Sequence, residues 1–272
     1  MRAFETIDRA KMLLVMDAGN SNIVIGVFEG EKLLHSWRVS THRDNRTGDE
    51  FAVLLHQILG LEGIPVNAID GVAVCSVVPT LNEDIKNMCL KNLSIEPLFI
   101  KPREQEFIPL NYYPPEEVGA DRIVNAVAAL ELHGSPAIVV DFGTATTFDV
   151  VSDKGEYEGG LIFPGIGISS EALFSRTAKL PRVEFCRPAR IIGQSTEESI
   201  QAGLYFGYVH LIEGVLSQLK EEIPGAVVIS TGGFAGMIGR ENPGLFDFIE
   251  EDLTVKGLKI CYDRTKQKQL GL

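Results

Sequence analysis

Two aspartates close two nearly identical phrases in this chain. Met12-Leu13-Leu14-Val15-Met16-Asp17-Ala18-Gly19-Asn20-Ser21-Asn22 is an apolar run that ends in Asp-x-Gly and small polar residues. Ala137-Ile138-Val139-Val140-Asp141-Phe142-Gly143-Thr144 repeats the form, and Ala145-Thr146-Thr147 adds further hydroxyls. A tight turn after a strand exposes several backbone N–H groups. Glycine lets that backbone approach a phosphate, and small amide or hydroxyl side chains add donors. Asp17, at a strand end, is placed to hold Mg2+ directly or through water, and such an ion offsets the charge of ATP phosphates. Each phrase alone also reads as an ordinary hairpin turn, where Asp, Gly and Asn are expected and threonine serves the strand. The recurrence is what favours a phosphorylated ligand held between two lobes.

Three further segments carry candidate chemistry. Gly119-Ala120-Asp121-Arg122 lies where a loop becomes a helix. There Asp121 is either a helix cap or a general base, with the helix start and Arg122 gathering an anion. In phosphoryl transfer an ordinary carboxylate suffices, because it orients the hydroxyl and takes its proton late. Thr231-Gly232-Gly233 follows a strand, and its glycines would let a ribose or nucleotide ring lie against the backbone; Gly-Gly is also a common turn. Gly193-Gln194-Ser195-Thr196 opens a long helix, where Ser195 and Glu198 fit a capping box that competes with any ligand role for Thr196. No G-x-x-x-x-G-K-[ST] occurs and no G-x-G-x-x-G follows a strand, which excludes P-loop and Rossmann nucleotide sites.

The 272 residues allow one large domain or two ordinary ones, and 45% hydrophobic content supplies ample core. With 25 basic against 37 acidic residues, the net charge of −12 argues against nucleic-acid or anionic-membrane surfaces. Four dispersed cysteines (Cys75, Cys89, Cys186, Cys261) fit buried free thiols in a reducing compartment. The five histidines have no metal spacing and are expected to be structural. No apolar run is long enough to span a bilayer, and residues 1–11 are polar, an extension ahead of Met12 without a secretory signal. The expected location is the cytoplasm.

The positioning elements follow from hydropathy period and turn signals. Strands are expected over 13–16, 23–28 and 32–39, joined by short turns as an antiparallel meander, with Trp37 in the core. A helix over 47–59, a strand over 69–78 ended by Pro79, a helix over 81–93 and a strand over 98–100 follow. Arg43, Arg46 and Asp49 read as a solvated polar stretch. Residues 101–118, rich in proline, form a linker, and a helix runs over 121–133. The second half repeats the meander over 137–140, 146–151 and 157–163. It continues with a helix over 195–220 and a strand over 227–229 ahead of another helix. The pattern predicts α/β with an internal duplication, residues 1–118 and 119–272 forming the two lobes. It resembles the ribonuclease-H-like lobes of actin, hexokinase and Hsp70, with mixed sheets flanked by helices and an ATP cleft between the lobes.

Taken together, the Asp17–Asn22 phrase, Trp37-Arg38-Val39-Ser40-Thr41, Glu117-Val118-Gly119-Ala120-Asp121-Arg122 with Asn125-Ala126, the Asp141–Thr147 phrase and Thr231-Gly232-Gly233 resemble the type III pantothenate kinases. The similarity runs from about Met12 to about Gly239. The resemblance implies ATP-dependent phosphorylation of pantothenate to 4'-phosphopantothenate, the first step of coenzyme A biosynthesis, by a homodimer. It implies Asp121 as proton acceptor. It implies pantothenate contacts from Tyr112, Gly119, Ala120, Asp121, Arg122 and Thr196. ATP contacts would come from Asp17, Ala18, Gly19, Asn20, Ser21, Asn22, Ile23, Val24 and Thr144, with Gly232 and Gly233 beside them. Symmetry with Asp17 suggests Mg2+ or phosphate at Asp141; the resemblance implies K+ or NH4+ there instead. The chain departs from the family at Ser21, where threonine is usual, and at Tyr112-Tyr113-Pro114-Pro115, which lacks the usual asparagine. Tyr113 therefore stands as the alternative to Tyr112. Other small-molecule kinases of the superfamily, a kinase-like regulator without turnover and a filament-forming ATPase are the competing readings; Asp17, Asp121 and Asp141 together favour catalysis.

Overall fold

The computed structural model describes residues 11–41 and 47–271. His42, Arg43, Arg46 and all but Lys11 of the expected extension lie outside the described residues. The chain forms two compact units, one of residues 1–107, 116–127 and 254–272, the other of residues 108–115 and 128–253. The expected lobes 1–118 and 119–272 are coarser than this. The chain passes between the units twice within its proline-rich segment, again inside a helix, and once more at the first residue of its last helix.

The first unit holds a five-stranded sheet in the order β3-β2-β1-β4-β5. Strands β1 (Met12–Ala18), β2 (Asn22–Glu29) and β3 (Lys32–Ser40) form the antiparallel meander. Strands β4 (Ile69–Ser76) and β5 (Leu98–Phe99) add on in parallel. Alternation along the strands gives each face its own covering. Leu14, Met16, Val72 and Val74 share a core with Phe51, Leu55 and Leu59 of α1 (Gly48–Leu61) and with Leu81 and Ile85 of α2 (Pro79–Met88). The opposite face meets α7 (Leu253–Leu270). A side chain at Gly26 would strike Val255, and one at Gly71 would occupy the space of the Tyr262 ring. Trp37 is only half-buried, stacked on His35 at the sheet edge with ring centroids 5.5 Å apart.

The second unit repeats this order, read as β8-β7-β6-β9-β10. Strands β6 (Ala137–Phe142), β7 (Ala145–Val151) and β8 (Tyr157–Pro164) are the antiparallel meander, and β9 (Val227–Gly232) and β10 (Phe248–Ile249) are parallel additions. Ile138, Val140, Phe148 and Val228 pack with Leu204, Tyr208 and Ile212 of α5 (Thr196–Glu222) and with Ile238 of α6 (Ala235–Glu241). Helix α4 (Ile166–Ser175) precedes α5, and α3 (Ala120–His133) runs through both units.

The outlines differ from expectation in ways that have physical causes. The strand expected to reach residue 78 stops at Ser76, and Pro79 opens α2, where its missing N–H has no helical partner to lose. The helix expected to 93 ends at Met88 and continues as a π turn over 89–93. Helices α4 and α7 and strand β10 were not expected. Helix α7 buries Leu253, Val255, Leu258 and Cys261 along a sequence otherwise dominated by polar and charged residues.

Candidate active site

In the first unit, Asp17 is the penultimate residue of β1 and belongs to the face that α7 covers. The turn behind it is tied down on both sides. Gly19 N–H donates to the Asn22 carbonyl (3.0 Å), and Thr41 N–H donates to the Ser21 carbonyl (3.0 Å). The buried Thr41 hydroxyl donates to the Gly19 carbonyl (2.7 Å). A Cβ on Gly19 would lie 3.1 Å from the Asn22 carbonyl oxygen, so the tightness of the turn favours glycine. The tip, Asn20, Ser21 and Asn22, stays exposed, while Ile23 anchors β2 in the core. The result is a fixed backbone loop with open polar side chains behind a strand-end carboxylate. Ala18 lies buried beneath it and Val24 is half-buried.

Parallel pairing of β1 with β4 sets Asp17 opposite Cys75 in register. The Cys75 thiol hydrogen-bonds Asp17, and burial pushes its pKa well above the ordinary value, with the charges of Asp17 and Asp121 and the neighbouring Cys261 adding to the rise. The Asp17 carboxylate of β1 thus bonds the buried thiol directly, while the Asp121 carboxylate of α3 acts on it through its charge alone.

Helix α3 opens at Ala120, so Asp121 sits inside its first turn and not ahead of it as a cap. Its carboxylate folds back to accept the Arg122 N–H (2.8 Å). A Cβ at position 119 would stand 2.4 Å from the Asp121 Oδ1, so any other residue there would displace that carboxylate. Burial raises the Asp121 pKa above its ordinary value; the Arg122 N–H and guanidinium act in the opposite direction. The Arg122 side chain is itself buried. The helix start is held in the unit by Asn125, whose Oδ1 accepts the Thr254 hydroxyl of α7 (2.8 Å), and by the close approach of Gly257 to Val124. Asp17, Gly119, Asp121 and Arg122 thus belong to one unit, although about a hundred residues separate the first from the rest.

In the second unit, Asp141 occupies on β6 the place that Asp17 occupies on β1, with Thr147 and Thr231 as its register partners. Thr231 is therefore the counterpart of Cys75. Gly232 has φ +88° and comes so close that a Cβ would lie 2.5 Å from the Asp141 Oδ1. Gly233 N–H donates to the Phe142 carbonyl (3.1 Å), which joins the Thr-Gly-Gly turn to the Asp-Phe-Gly turn. The Thr144 carbonyl accepts the Gly165 N–H (3.1 Å) at the start of α4. This carboxylate has two threonines as register partners and lies close to the backbone of Gly143 and Gly232, an oxygen-bearing setting that fits a hard monovalent cation. Asp17, one carboxylate beside an open turn, fits a Mg2+ that keeps waters and phosphate oxygens as its other ligands. No group of three His, Cys, Asp or Glu side chains is placed to hold a metal ion among the described residues.

Tyr112 and Tyr113 differ sharply. Tyr113 is 94% exposed. Tyr112 is half-buried, with its ring 6.2 Å from that of Tyr157. Thr196 is the first residue of α5 and lines a cavity of about 850 Å3 with Leu173, Leu180, Ser195, Ser199 and Leu204. The expected cap forms in shifted form: Ser195 Oγ accepts the Glu198 N–H (3.1 Å), and the Glu198 carboxylate accepts the N–H of Gln194 (2.6 Å). A complete capping box stands instead at Thr47 and Glu50 on α1. Cys75, Thr41 and Tyr157 carried no role in the sequence reading. A cysteine or threonine within or beside a strand gives no local signal of what its register partner is.

The type III pantothenate kinase family profile matches residues 13–218. A type III pantothenate kinase from Moorella thermoacetica is 49% identical over 254 residues, covering 93% of this chain and 99% of that protein. One from Koribacter versatilis is 46% identical over 266 residues, covering 94% and 96%. Among solved structures, the activator of the 2-hydroxyisocaproyl-CoA dehydratase from Clostridium difficile, with bound ADPNP, aligns at TM-score 0.55 and 12% identity over 96% of this chain and 98% of that one. The ethanolamine utilization protein EutJ from Carboxydothermus hydrogenoformans aligns at TM-score 0.52 and 16% identity over 92% and 89%. These distant likenesses bear on the fold alone, an α/β architecture with two mixed five-stranded sheets.

Proposed function

The chain belongs to the type III pantothenate kinase family and phosphorylates pantothenate with ATP in coenzyme A biosynthesis, and we propose that Asp121 takes the proton of the attacking hydroxyl. The observation that carries this assignment is the Asp121 carboxylate, folded over the first turn of α3 beside buried Arg122. Pantothenate carries a carboxylate, which suits a helix start and a guanidinium. Gly119, Ala120 and Arg122 would orient it, and Tyr112 and Thr196 would be further contacts.

ATP phosphates would be met by the backbone and side chains of Asp17–Val24, and Thr144, Gly232 and Gly233 would serve the same nucleotide. Asp17 would hold Mg2+ and Asp141 would hold K+ or NH4+. The cations supply positive charge that neutralises the transferring phosphoryl group. The chain's own part is alignment: a fixed turn, a fixed helix start, and a carboxylate that directs the hydroxyl. We also assign a homodimer, supported by the family resemblance and by Ile162, Ile191 and Ile192, each more than 60% exposed on the second unit. A cytoplasmic location accords with a metabolic kinase. Among the described residues no helix is long and apolar enough to cross a membrane.

The test is ADP release by the full chain with pantothenate, with and without K+. Asp121→Asn should lower kcat by about 10²- to 10⁴-fold, the usual worth of a positioned base, with ATP affinity nearly unchanged. Turnover within tenfold of wild type would reject the assignment of Asp121. Light scattering that finds only monomer at every concentration would reject the dimer.

A further inference from the structure

The segment that carries Tyr112 is fastened to the edge of the second unit's sheet. Leu110 pairs with Tyr157 as a parallel bridge. Tyr157 N–H donates to the Pro109 carbonyl and Asn111 N–H donates to the Tyr157 carbonyl, each at 2.9 Å. The register of β8 slips between Val150 and Val151, which leaves Glu158 without a cross-strand partner. The Glu158 carboxylate instead accepts the Asn111 side-chain amide at 2.6 Å. The next residue along, Tyr112, lands over Tyr157 and Gly159. Gly159 has φ +101°, and a Cβ there would approach the Tyr112 ring to 3.0 Å and 3.3 Å.

The support beneath is buried. Tyr157 is wholly inaccessible and donates its hydroxyl to Asp149 Oδ1 at 2.8 Å. Asp149 is also wholly inaccessible, and its Oδ2 accepts the Thr147 hydroxyl at 3.0 Å. A carboxylate sealed in a sheet interior is costly unless hydrogen-bonded, and its bonds are directional. A leucine would fill the same space without that cost. What the carboxylate adds is a fixed orientation for the Tyr157 ring, on which Tyr112 leans.

We propose that Tyr157 and Gly159 are positioning residues for pantothenate: together they fix the ring of Tyr112 and so set the affinity for pantothenate and not for ATP. The inference rests on the reading that Tyr112 contacts pantothenate. Tyr157 acts through Tyr112. Gly159 acts by leaving room for the ring, in a backbone conformation that a side chain would also strain.

Steady-state kinetics on the full chain, varying pantothenate and ATP separately, tests it. Tyr112→Ala should raise KM for pantothenate, and Tyr113→Ala should not. Gly159→Ala should raise KM for pantothenate by about tenfold, within the range that small misplacements of a binding group produce. Tyr157→Phe, which keeps the ring and loses only the bond to Asp149, should raise it by about threefold. Both should leave KM for ATP within about twofold. In the Tyr112→Ala background, Tyr157→Phe should add nothing, an outcome that a purely structural role would not give. If Gly159→Ala or Tyr157→Phe fails to fold, Asn111→Ala, which loosens only the exposed tether, should raise KM for pantothenate in the same selective way. If Tyr112→Ala leaves that KM unchanged, the reading of Tyr112 fails. If Tyr112→Ala raises it and the supporting variants do not, or if they raise both KM values equally, the positioning inference is overturned and the reading of Tyr112 stands.

Discussion

Asp17 and Cys75 face each other in register across two parallel strands, and the thiol hydrogen-bonds the carboxylate. This joins the strand-end aspartate of the first unit to a group that is itself inaccessible to solvent. A hydrogen bond to a charged acceptor contributes about 1.5–3 kcal/mol, and its loss here would remove one of the restraints on Asp17. Cys75→Ala should therefore lower kcat/KM for ATP by about tenfold, and Cys75→Ser, which keeps a donor, should recover most of it. Equal losses in both variants would assign the effect to packing.

Asp121 should make the fold less stable at neutral pH than asparagine would. Burial is the largest influence on its pKa and raises it above 3.8. A carboxyl whose folded-state pKa is raised binds its proton more tightly when folded. Its favourable contribution is thus full below the unfolded pKa and is lost as pH rises through the folded one. Thermal melts of Asp121→Asn should show a higher Tm than wild type at pH 7–8, with the difference closing as pH falls below about 4. The acidic limb of kcat/KM against pH should correspondingly lie above the ordinary carboxylate range. A variant less stable than wild type at neutral pH would contradict this balance.

Much of this arrangement was legible in the residues. Apolar runs ending in Asp-x-Gly, with turn residues at the expected spacings, located both meanders within about two residues. The helix expected from Asp121 at the end of the proline-rich segment opens one residue earlier, at Ala120. What the residues did not disclose depends on register and on distant packing. Cys75 acquires its partner only because β1 and β4 are parallel and aligned, and no local pattern encodes that pairing. Thr41 looks like the end of a strand until its hydroxyl is seen holding Gly19. Helix α7 was missed because Lys256, Lys259, Asp263 and Arg264 interrupt its apolar stripe. One of these, Lys259, is buried, with its ammonium bonded to Glu31 and Asp263.

Gly232 is constrained twice, by its backbone and by the Asp141 carboxylate. Gly244 has nearly the same φ, +87°, with nothing within 4 Å of a Cβ. Gly244→Ala should cost about 1 kcal/mol, from the left-handed conformation alone. Gly232→Ala should cost about 2–4 kcal/mol, because its Cβ would also meet Asp141 and the backbone of Phe142. Denaturant unfolding separates the two. If Asp141 seats a monovalent cation, Gly232→Ala and Asp141→Asn should both flatten the dependence of rate on K+ concentration. A K+ response unchanged in Asp141→Asn would remove the cation from that aspartate.

The thiols should react in an order set by burial. Cys75, Cys89 and Cys261 are buried, and the thiols of Cys89 and Cys261 are each pushed up to about 12 by desolvation, while Cys75 is raised well above its ordinary value. A buried thiol held in its protonated form is neither nucleophilic nor accessible. Cys186 is half-buried and is the most accessible of the four. Native protein at pH 8 should therefore give about one fast equivalent with a thiol reagent, and peptide mapping should place it at Cys186; unfolding should release the other three. Rapid labelling of Cys75 in the native protein would mean that the sheet face on which β1 carries Asp17 and β4 carries Cys75 opens far more often than its packing suggests.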